Sequence, residues 1–583
     1  LTDFDQPGVP PPPAEGGAPP SQALSSTNGL EQRAPDRGAL FSGWRLRLGV
    51  SVGFVLVFGV LSLIRVHEIG KPITFDLGNY EYYSGYAELH GFRSAIALPG
   101  QLETYLDAQM NTLYYFLITY LSPRAAVSTL AVLQSLPVSL LSFCVFAVAR
   151  SVAGTRVVPV FAGIVAGGSA FVAPLHITEI GETSSDALLG VFLFAAAALL
   201  YRILTATDAH RAQFAGAAIA GVLLGLAGEL KATETAFSAS IFIAFAVALL
   251  LARARTSWTF GRCALLCATV LAPAVVVAGA LYLPEAIMLW HRYHDPIFPF
   301  MNGIFHSPYL LPKSFNPGYA ANSPYSLWFH YTRLFIGGQG GHNSNGLYLL
   351  PLRSPVLFFS LPVVAVMLIV DLVKRNKPEA IFIEIAFVAG FLIWAVLYGF
   401  YRYLAPLEMA AGGVVIMLVF LHRLHRPALL LSIAVALAVA IQFSDYAEIG
   451  AREAFGQSYF GISAAEFSNL SGDGVVMAGD GTLAFIVPDL PANTELVRVG
   501  GNLQQVMSNT WWVHVRSIVE QSHRPRWVLF YGGPKGKLNA ELEQIGFLTT
   551  LQSCHRVPSA EDGVLAVHEC QVKLAPISAS GIS

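Results

Sequence analysis

Eleven separate apolar segments run through this chain, near residues 48–64, 126–149, 157–175, 187–204, 213–229, 236–252, 264–283, 354–372, 381–399, 408–421 and 428–442. So many long apolar runs cannot share one soluble core. Most approach or reach the roughly 17–25 residues that carry a helix across a bilayer. Composition agrees: 54% of the 583 residues are hydrophobic and 12% are charged, against about 25% charged in soluble domains. Mean hydropathy is +0.56. The expected fold is a polytopic α-helical membrane protein of about 11 spans, within a range of roughly 10–13. The spans at 408–421 and 428–442 are short, and 113–121 reads as a further partial helix. A net charge of −2 argues against a nucleic-acid partner.

The basic residues set an orientation. Arg33, Arg37, Arg45 and Arg47 precede the first span, and alternate short loops carry Arg150 and Arg156, Arg202 and Arg211, Arg253, Arg255 and Arg262, Lys374, Arg375 and Lys377, and Arg423 and Arg426. The positive-inside rule places these loops and the N-terminus in the cytoplasm. The long loops 65–125 and 284–353 are then extracytoplasmic, as is everything past residue 442. Three regions follow: a tail at 1–43, a transmembrane domain at 44–442 and an outer domain at 443–583. The tail is rich in Pro, Gly, Ser and Ala, including the run Pro10-Pro11-Pro12-Pro13, and reads as disordered. It lacks the apolar stretch of a signal peptide ahead of the first span.

The outer region drops in apolar density. Strand-like runs stand at Gly474–Ala478, Trp527–Tyr531 and Val564–His568, with a helical run near 536–545. This pattern predicts a small α/β domain. Cys144, Cys263 and Cys267 lie in or beside spans and read as packing residues. Cys554 and Cys570 sit near the ends of two candidate strands, where an oxidising compartment allows pairing, but spacing alone leaves the bond open. Trp511-Trp512-Val513-His514 reads as core packing or as a sugar-stacking surface.

Ionisable residues near membrane depth are functional candidates, because a charge there is costly without a role. The first outer loop offers Asp76, Glu81, Glu88, Glu103 and Asp107. The second holds Glu179, Glu182 and Asp186, and the third Glu229, Lys231 and Glu234. Arg402 and Tyr403 follow the ninth span. Acids thus cluster at the outer ends of early spans, with single cations at the outer ends of later ones. A carboxylate beside a cation suits deprotonation of a hydroxyl while an anionic leaving group such as a lipid phosphate is held. Plainer readings stand beside this one. Asp76 also suits an N-cap for the stretch 77–90, the second-loop acids a solvated loop face, Lys231 a snorkelling side chain, and Arg402 an interfacial anchor.

Other motifs carry less. Gly532-Gly533-Pro534-Lys535-Gly536-Lys537 lacks the spacing of a phosphate loop and the Ser or Thr after its Lys. Gly337–His342 reads as a flexible loop tip. No His or Cys cluster stands at a zinc spacing.

The layout is a first span, a long outer loop opening with an acid, hairpin spans, a second long outer loop after the seventh span and a trailing outer domain. It resembles the GT-C superfamily of integral-membrane glycosyltransferases. The segments Phe75–Tyr80, Gln101–Tyr105, Asp295–Asn302, Ser307–Tyr309 and Arg402–Glu408 carry the resemblance, which covers roughly residues 45–445. It implies a multi-pass protein of the bacterial cytoplasmic (inner) membrane. The implied reaction moves a sugar from a polyprenyl-phosphate donor to a glycan or lipid acceptor on the extracytoplasmic face, with inversion. Asp76 matches the position of the base. Glu179, Glu182 and Asp186, with Asn79 and Tyr80, are implied as supporting acids or acceptor contacts. Lys231, Arg402 and Tyr403 are implied as the donor-phosphate site. No metal or other cofactor is expected. Some relatives place two adjacent acids in the first loop, whereas Leu77 follows Asp76 here. A polysaccharide ligase or polymerase using polyprenyl-diphosphate glycans, and a lipid-linked glycan flippase, remain as alternatives.

Overall fold

A computed structural model of the chain describes residues 37–91, 98–153, 157–205, 210–253, 258–312, 320–337, 352–374, 377–446, 451–521, 526–531, 535–544, 547–558 and 567–576. Residues 1–36 of the expected tail and most of the Gly-rich tip at 337–342 lie outside them. Helix α1 (Arg37–Ile69) begins inside the segment expected as disordered tail. Its residues up to Gly49 form a unit separate from the remainder of the chain.

All eleven apolar segments fall on helices, although 157–175 is broken after Phe171 and 381–399 runs past the helix end at Leu397. After α1 come α2 (Tyr82–His90), α3 (Ala108–Tyr120), α4 (Pro123–Val152), α5 (Val157–Phe171), α6 (Pro174–Glu179), α7 (Asp186–Thr205), α8 (His210–Leu230), α9 (Thr235–Arg253) and α10 (Phe260–Tyr293). The short α11 (Asn302–Phe305) and α12 (Pro324–Ile336) precede α13 (Pro355–Lys374), α14 (Pro378–Leu397), α15 (Ala405–Leu421) and α16 (Pro427–Gln442). Among the described residues nine helices are long and apolar enough to cross a membrane, while α5 and α16 are shorter. The partial helix expected at 113–121 is the C-terminal part of α3. Helix α10 runs on through Pro273 and Pro284 to Tyr293, past the expected end at residue 283.

Small residues bring these helices together, because lipid offers no hydrophobic force between them and close van der Waals contact must serve. Gly221 and Gly225 of α8 face α10 so closely that a Cβ at Gly221 would lie 2.1 Å from the Val270 carbonyl oxygen. Helix α15 is buried along its whole length, with Gly412 against Ser169 of α5 and Gly413 against Leu141 of α4.

The chain after α16 returns to the start of the first long loop. Strand β1 (Lys71–Ile73) pairs antiparallel with β2 (Ala451–Glu453). Lys71 is fully buried there and donates to the Tyr459 carbonyl at 2.6 Å. Beyond it stands a five-stranded sheet of β3 (Gly474–Ala478), β4 (Glu495–Arg498), β5 (Arg526–Tyr531), β6 (Phe547–Arg556) and β7 (Val567–Pro576), in the order β4-β3-β5-β7-β6. The first three strands are mutually parallel, and the β5–β7 and β7–β6 pairs are antiparallel. Helices α17 (Leu503–Val506), α18 (Asn509–Gln521) and α19 (Lys535–Gln544) complete the α/β domain. Of its strands, β4 and β6 have no counterpart among the three expected runs, and residues 564–566 of the third run lie outside the described residues. Trp511 on α18 is core, which answers its first reading, whereas Val513 is exposed. Cys554 and Cys570 form a disulfide across the β6–β7 pair, with Cα atoms 4.1 Å apart.

Candidate functional site

The first loop enters through β1 and turns at Thr74. The Thr74 hydroxyl accepts a hydrogen bond from the Leu77 amide at 3.1 Å. Asp76 already has helical backbone angles and makes no capping bond, so the N-cap reading of Asp76 fails and Thr74 takes that role. A π-helical turn at Leu77–Glu81 follows and runs into α2. Such turns carry one residue more than an α-helical turn and recur at functional sites. The turn leaves the Asp76 side chain free to reach Arg402.

Arg402 sits on a 3₁₀ turn at Tyr401–Leu404, directly ahead of α15. Its Nη1 lies 2.5 Å from Asp76 Oδ2, and its Nε 3.6 Å from Asp186 Oδ2. Lys231 Nζ lies 2.8 Å from the same Asp186 oxygen. Both cations stand over the Tyr403 ring, Lys231 at 5.5 Å and Arg402 at 5.6 Å from its centroid. Residues from four distant parts of the chain therefore make one cluster: Asp76, Asp186, Lys231 and Arg402, floored by Tyr403. Asp186 is fully buried and Lys231 nearly so, while Asp76 keeps 23% of its side chain exposed. Asp76 is the member of the cluster most open to a substrate. Lys231 does not snorkel and Arg402 is no mere anchor, because each has a carboxylate partner.

The remaining expected residues lie around this cluster in other roles. Glu179 is buried and accepts the Ala187 amide at 3.0 Å, so it caps the start of α7. Glu182 is buried and pairs with Arg452 at 3.0 Å; Arg452 also donates to the Thr178 carbonyl. These acids form no solvated face. Asn79 is held by Gln101, whose Nε2 donates to its Oδ1 at 3.1 Å, and donates in turn to the Gly100 carbonyl. Tyr80 is buried, and burial with the nearby Asp76 charge keeps its phenol neutral.

Further acids surround the cluster, of which Glu81, Glu103 and Asp107 are candidates by loop position alone, with no role read from sequence. Burial, then repulsion by Asp76, pushes Glu81 up to about 8, although Thr183 donates a short hydrogen bond to it. Burial raises Glu103 to about 7 and Asp107 to about 6, the latter against the pull of Lys231. Asp107 stands at a left-handed backbone position (φ 51°) ahead of α3, a conformation Asp tolerates better than most residues. Glu179 is raised by burial and by Asp186. Burial opposes the Lys231 charge, Asp186 restores it, and the ammonium ends above its ordinary pKa. The only signal in the sequence for Asp107 and Glu81 was their place in the same acid-rich loop as Asp76.

The α/β domain packs onto this loop. A Cβ at Gly78 would lie 3.0 Å from Thr482, so the glycine permits the approach two residues from Asp76. Asn502, just ahead of α17, donates to Glu103 at 2.6 Å and accepts the Leu102 amide at 3.2 Å, while its own amide donates to Gln101.

No protein-family model and no curated protein matches the chain. Among solved structures, ArnT from Cupriavidus metallidurans in the apo state aligns with 15% identity over 91% of this chain and 98% of that one, at a TM-score of 0.43. The same protein bound to undecaprenyl phosphate aligns with 14% identity over 91% and 98%, at 0.42. The archaeal oligosaccharyltransferase AglB from Archaeoglobus fulgidus, in complex with an inhibitory peptide and a dolichol-phosphate, aligns with 13% identity over 82% and 69%, at 0.37. At scores this low the roles of individual residues rest on the geometry above.

Proposed function

We propose that this chain is a GT-C-type membrane glycosyltransferase, which moves a sugar from a polyprenyl-phosphate donor to a glycan or lipid acceptor on the extracytoplasmic face. The observation that carries the reading is the bridge made by Arg402 between Asp76 and Asp186, with Lys231 on the same Asp186 oxygen. A base and two phosphate-binding cations thereby share one largely buried cluster. The ends of the helices that meet there are the ones that charge bias assigns to the outer side.

In this reading the donor phosphate enters between Arg402 and Lys231 and displaces Asp76 from Arg402. Arg402 grips it through two N–H groups and Lys231 as a point charge. Release of the guanidinium frees Asp76 to accept a proton from the acceptor hydroxyl. The acceptor oxygen bonds to the anomeric carbon as the carbon–oxygen bond to phosphate breaks. The bonding pair leaves on the polyprenyl phosphate, whose charge the two cations hold. Attack from the face opposite the phosphate inverts the anomeric centre. Asp186 remains to keep Lys231 and Arg402 aligned. Glu179 and Glu182 support the second loop and do not touch substrate.

Membranes carrying the protein, supplied with radiolabelled polyprenyl-monophosphate sugars, test this. Transfer of a single sugar with release of polyprenyl phosphate supports it. Block transfer from a polyprenyl diphosphate favours a ligase, and passage of the lipid across the bilayer without a new glycosidic bond favours a flippase.

A further inference from the structure

At the other end of α13, α14 and α15 from Arg402, three side chains of metal-binding chemistry converge. Asp371 is in the last turn of α13, Glu384 near the start of α14, and His422 directly follows Leu421 at the end of α15. His422 Nε2 lies 3.0 Å from Asp371 Oδ2 and 3.9 Å from Glu384 Oε1. One donor atom from each residue lies within 4.8 Å of the others.

Burial makes this group hard to explain by protein contacts alone. Glu384 is 0% exposed, its neighbours in the cluster are His422 and Asp371, and among the described residues neither of its oxygens meets hydrogen-bond geometry with a partner. Asp371 Oδ2 and His422 Nε2 have none that meets hydrogen-bond geometry either. A buried carboxylate without a partner is strongly disfavoured. His422 Nε2 stands beside Asp371 but, at 3.9 Å, too far from Glu384 for a hydrogen bond. Lys377, which precedes α14, is directed elsewhere: its Nζ donates to the Leu421 carbonyl at 2.6 Å. That bond also fixes the helix end from which His422 projects.

We propose that Asp371, Glu384 and His422 bind a divalent transition-metal ion, zinc fitting best, which ties the ends of α13, α14 and α15 together. Metal bonds of about 2.1 Å in tetrahedral geometry separate donor atoms by roughly 3.4 Å. The observed 3.0 and 3.9 Å separations bracket that distance. Two carboxylates and a neutral imidazole balance the charge of a divalent ion, and one imidazole with oxygen donors suits zinc or manganese over thiolate-seeking metals. No spacing in the sequence announces the site, because its donors come from three helices. The site lies at the far end of α15 from Arg402, so the ion braces the helix ends and takes no part in the transfer step.

The full-length chain in detergent, loaded with zinc and then desalted, tests the proposal by elemental analysis. About one zinc ion per chain is expected, falling to background in Glu384→Gln and His422→Gln. Cobalt loading of the wild-type chain is expected to give visible ligand-field bands that zinc abolishes, and this arm stands even where a variant does not fold. A wild-type chain that retains no metal and gives no cobalt bands overturns the proposal, as does equal zinc in wild type and folded variants.

Discussion

Arg402 Nη1 lies 2.5 Å from Asp76 Oδ2, across 326 residues of sequence. One guanidinium thereby holds the carboxylate assigned as base, and its Nε faces Asp186. In the proposed reaction the donor phosphate must replace a carboxylate to reach this Arg. Donor binding and exposure of the base are then one event. Arg402→Ala is expected to weaken polyprenyl-phosphate binding about 10–100-fold, from the roughly 1.5–3 kcal/mol of a charge-assisted hydrogen bond. Arg402→Lys keeps the charge but loses the planar fork and recovers only part of the affinity. Titration of each purified variant with polyprenyl phosphate measures this.

The pH dependence of donor binding follows from the acids around the cluster. Burial raises Asp107 to about 6, Glu103 to about 7 and Glu81 to about 8. Each folded-state value lies above the ordinary carboxylate range, so the neutral form is favoured in the folded protein. The stability these groups contribute is lost from the ordinary carboxylate range near about 4 up through their folded values, and their ionisation at about 6–8 adds negative charge near Arg402 and Lys231. Affinity for polyprenyl phosphate is expected to fall between about pH 6 and 8, while the thermal midpoint falls from about pH 4 to about pH 8. Glu81→Gln is expected to remove the part of that decline nearest pH 8, which binding curves at several pH values will show.

Asn502 links the α/β domain to the loop that holds Asn79. Its Nδ2 donates to Glu103 at 2.6 Å and its Oδ1 accepts the Leu102 amide at 3.2 Å. Asn502→Ala leaves the part-buried Glu103 carboxyl and the Leu102 backbone amide without these partners, at a cost of up to about 1–3 kcal/mol per unsatisfied group. The expected outcome is a lower thermal midpoint and a lower turnover number, with donor affinity preserved because Arg402 and Lys231 are untouched. Calorimetry and steady-state rates separate these effects.

The fold was legible where the physics is local. A bilayer span needs a long apolar run, and such runs mark α4, α7, α9 and α13 without knowledge of their neighbours. Strands β3 and β5 were legible as apolar runs buried in the middle of a sheet. Strand β6 was not, because an edge strand such as Thr549-Thr550-Leu551-Gln552 pairs on one side only and shows no apolar run. Asp76, Asp186, Lys231 and Arg402 were legible as ionisable residues at one membrane depth, but not as partners, since nothing in chain spacing says that Arg402 meets Asp76. Asp107 and Glu81 are candidates in the sequence without a role, because their raised pKa values arise from burial, which only the closed loop creates. The roles of Glu179 and Glu182 as helix cap and Arg452 partner were hidden for the same reason.

The central claim is that Asp76 removes the acceptor proton while Arg402 and Lys231 hold the donor phosphate. The most direct test is sugar transfer from a polyprenyl-phosphate donor by Asp76→Asn, measured beside donor binding by the same preparation. The account predicts that the variant binds polyprenyl phosphate at least as well as wild type, because Arg402 loses a competing carboxylate, while transfer falls by about 10²–10⁴-fold. Transfer at the wild-type rate by a folded Asp76→Asn protein would contradict it.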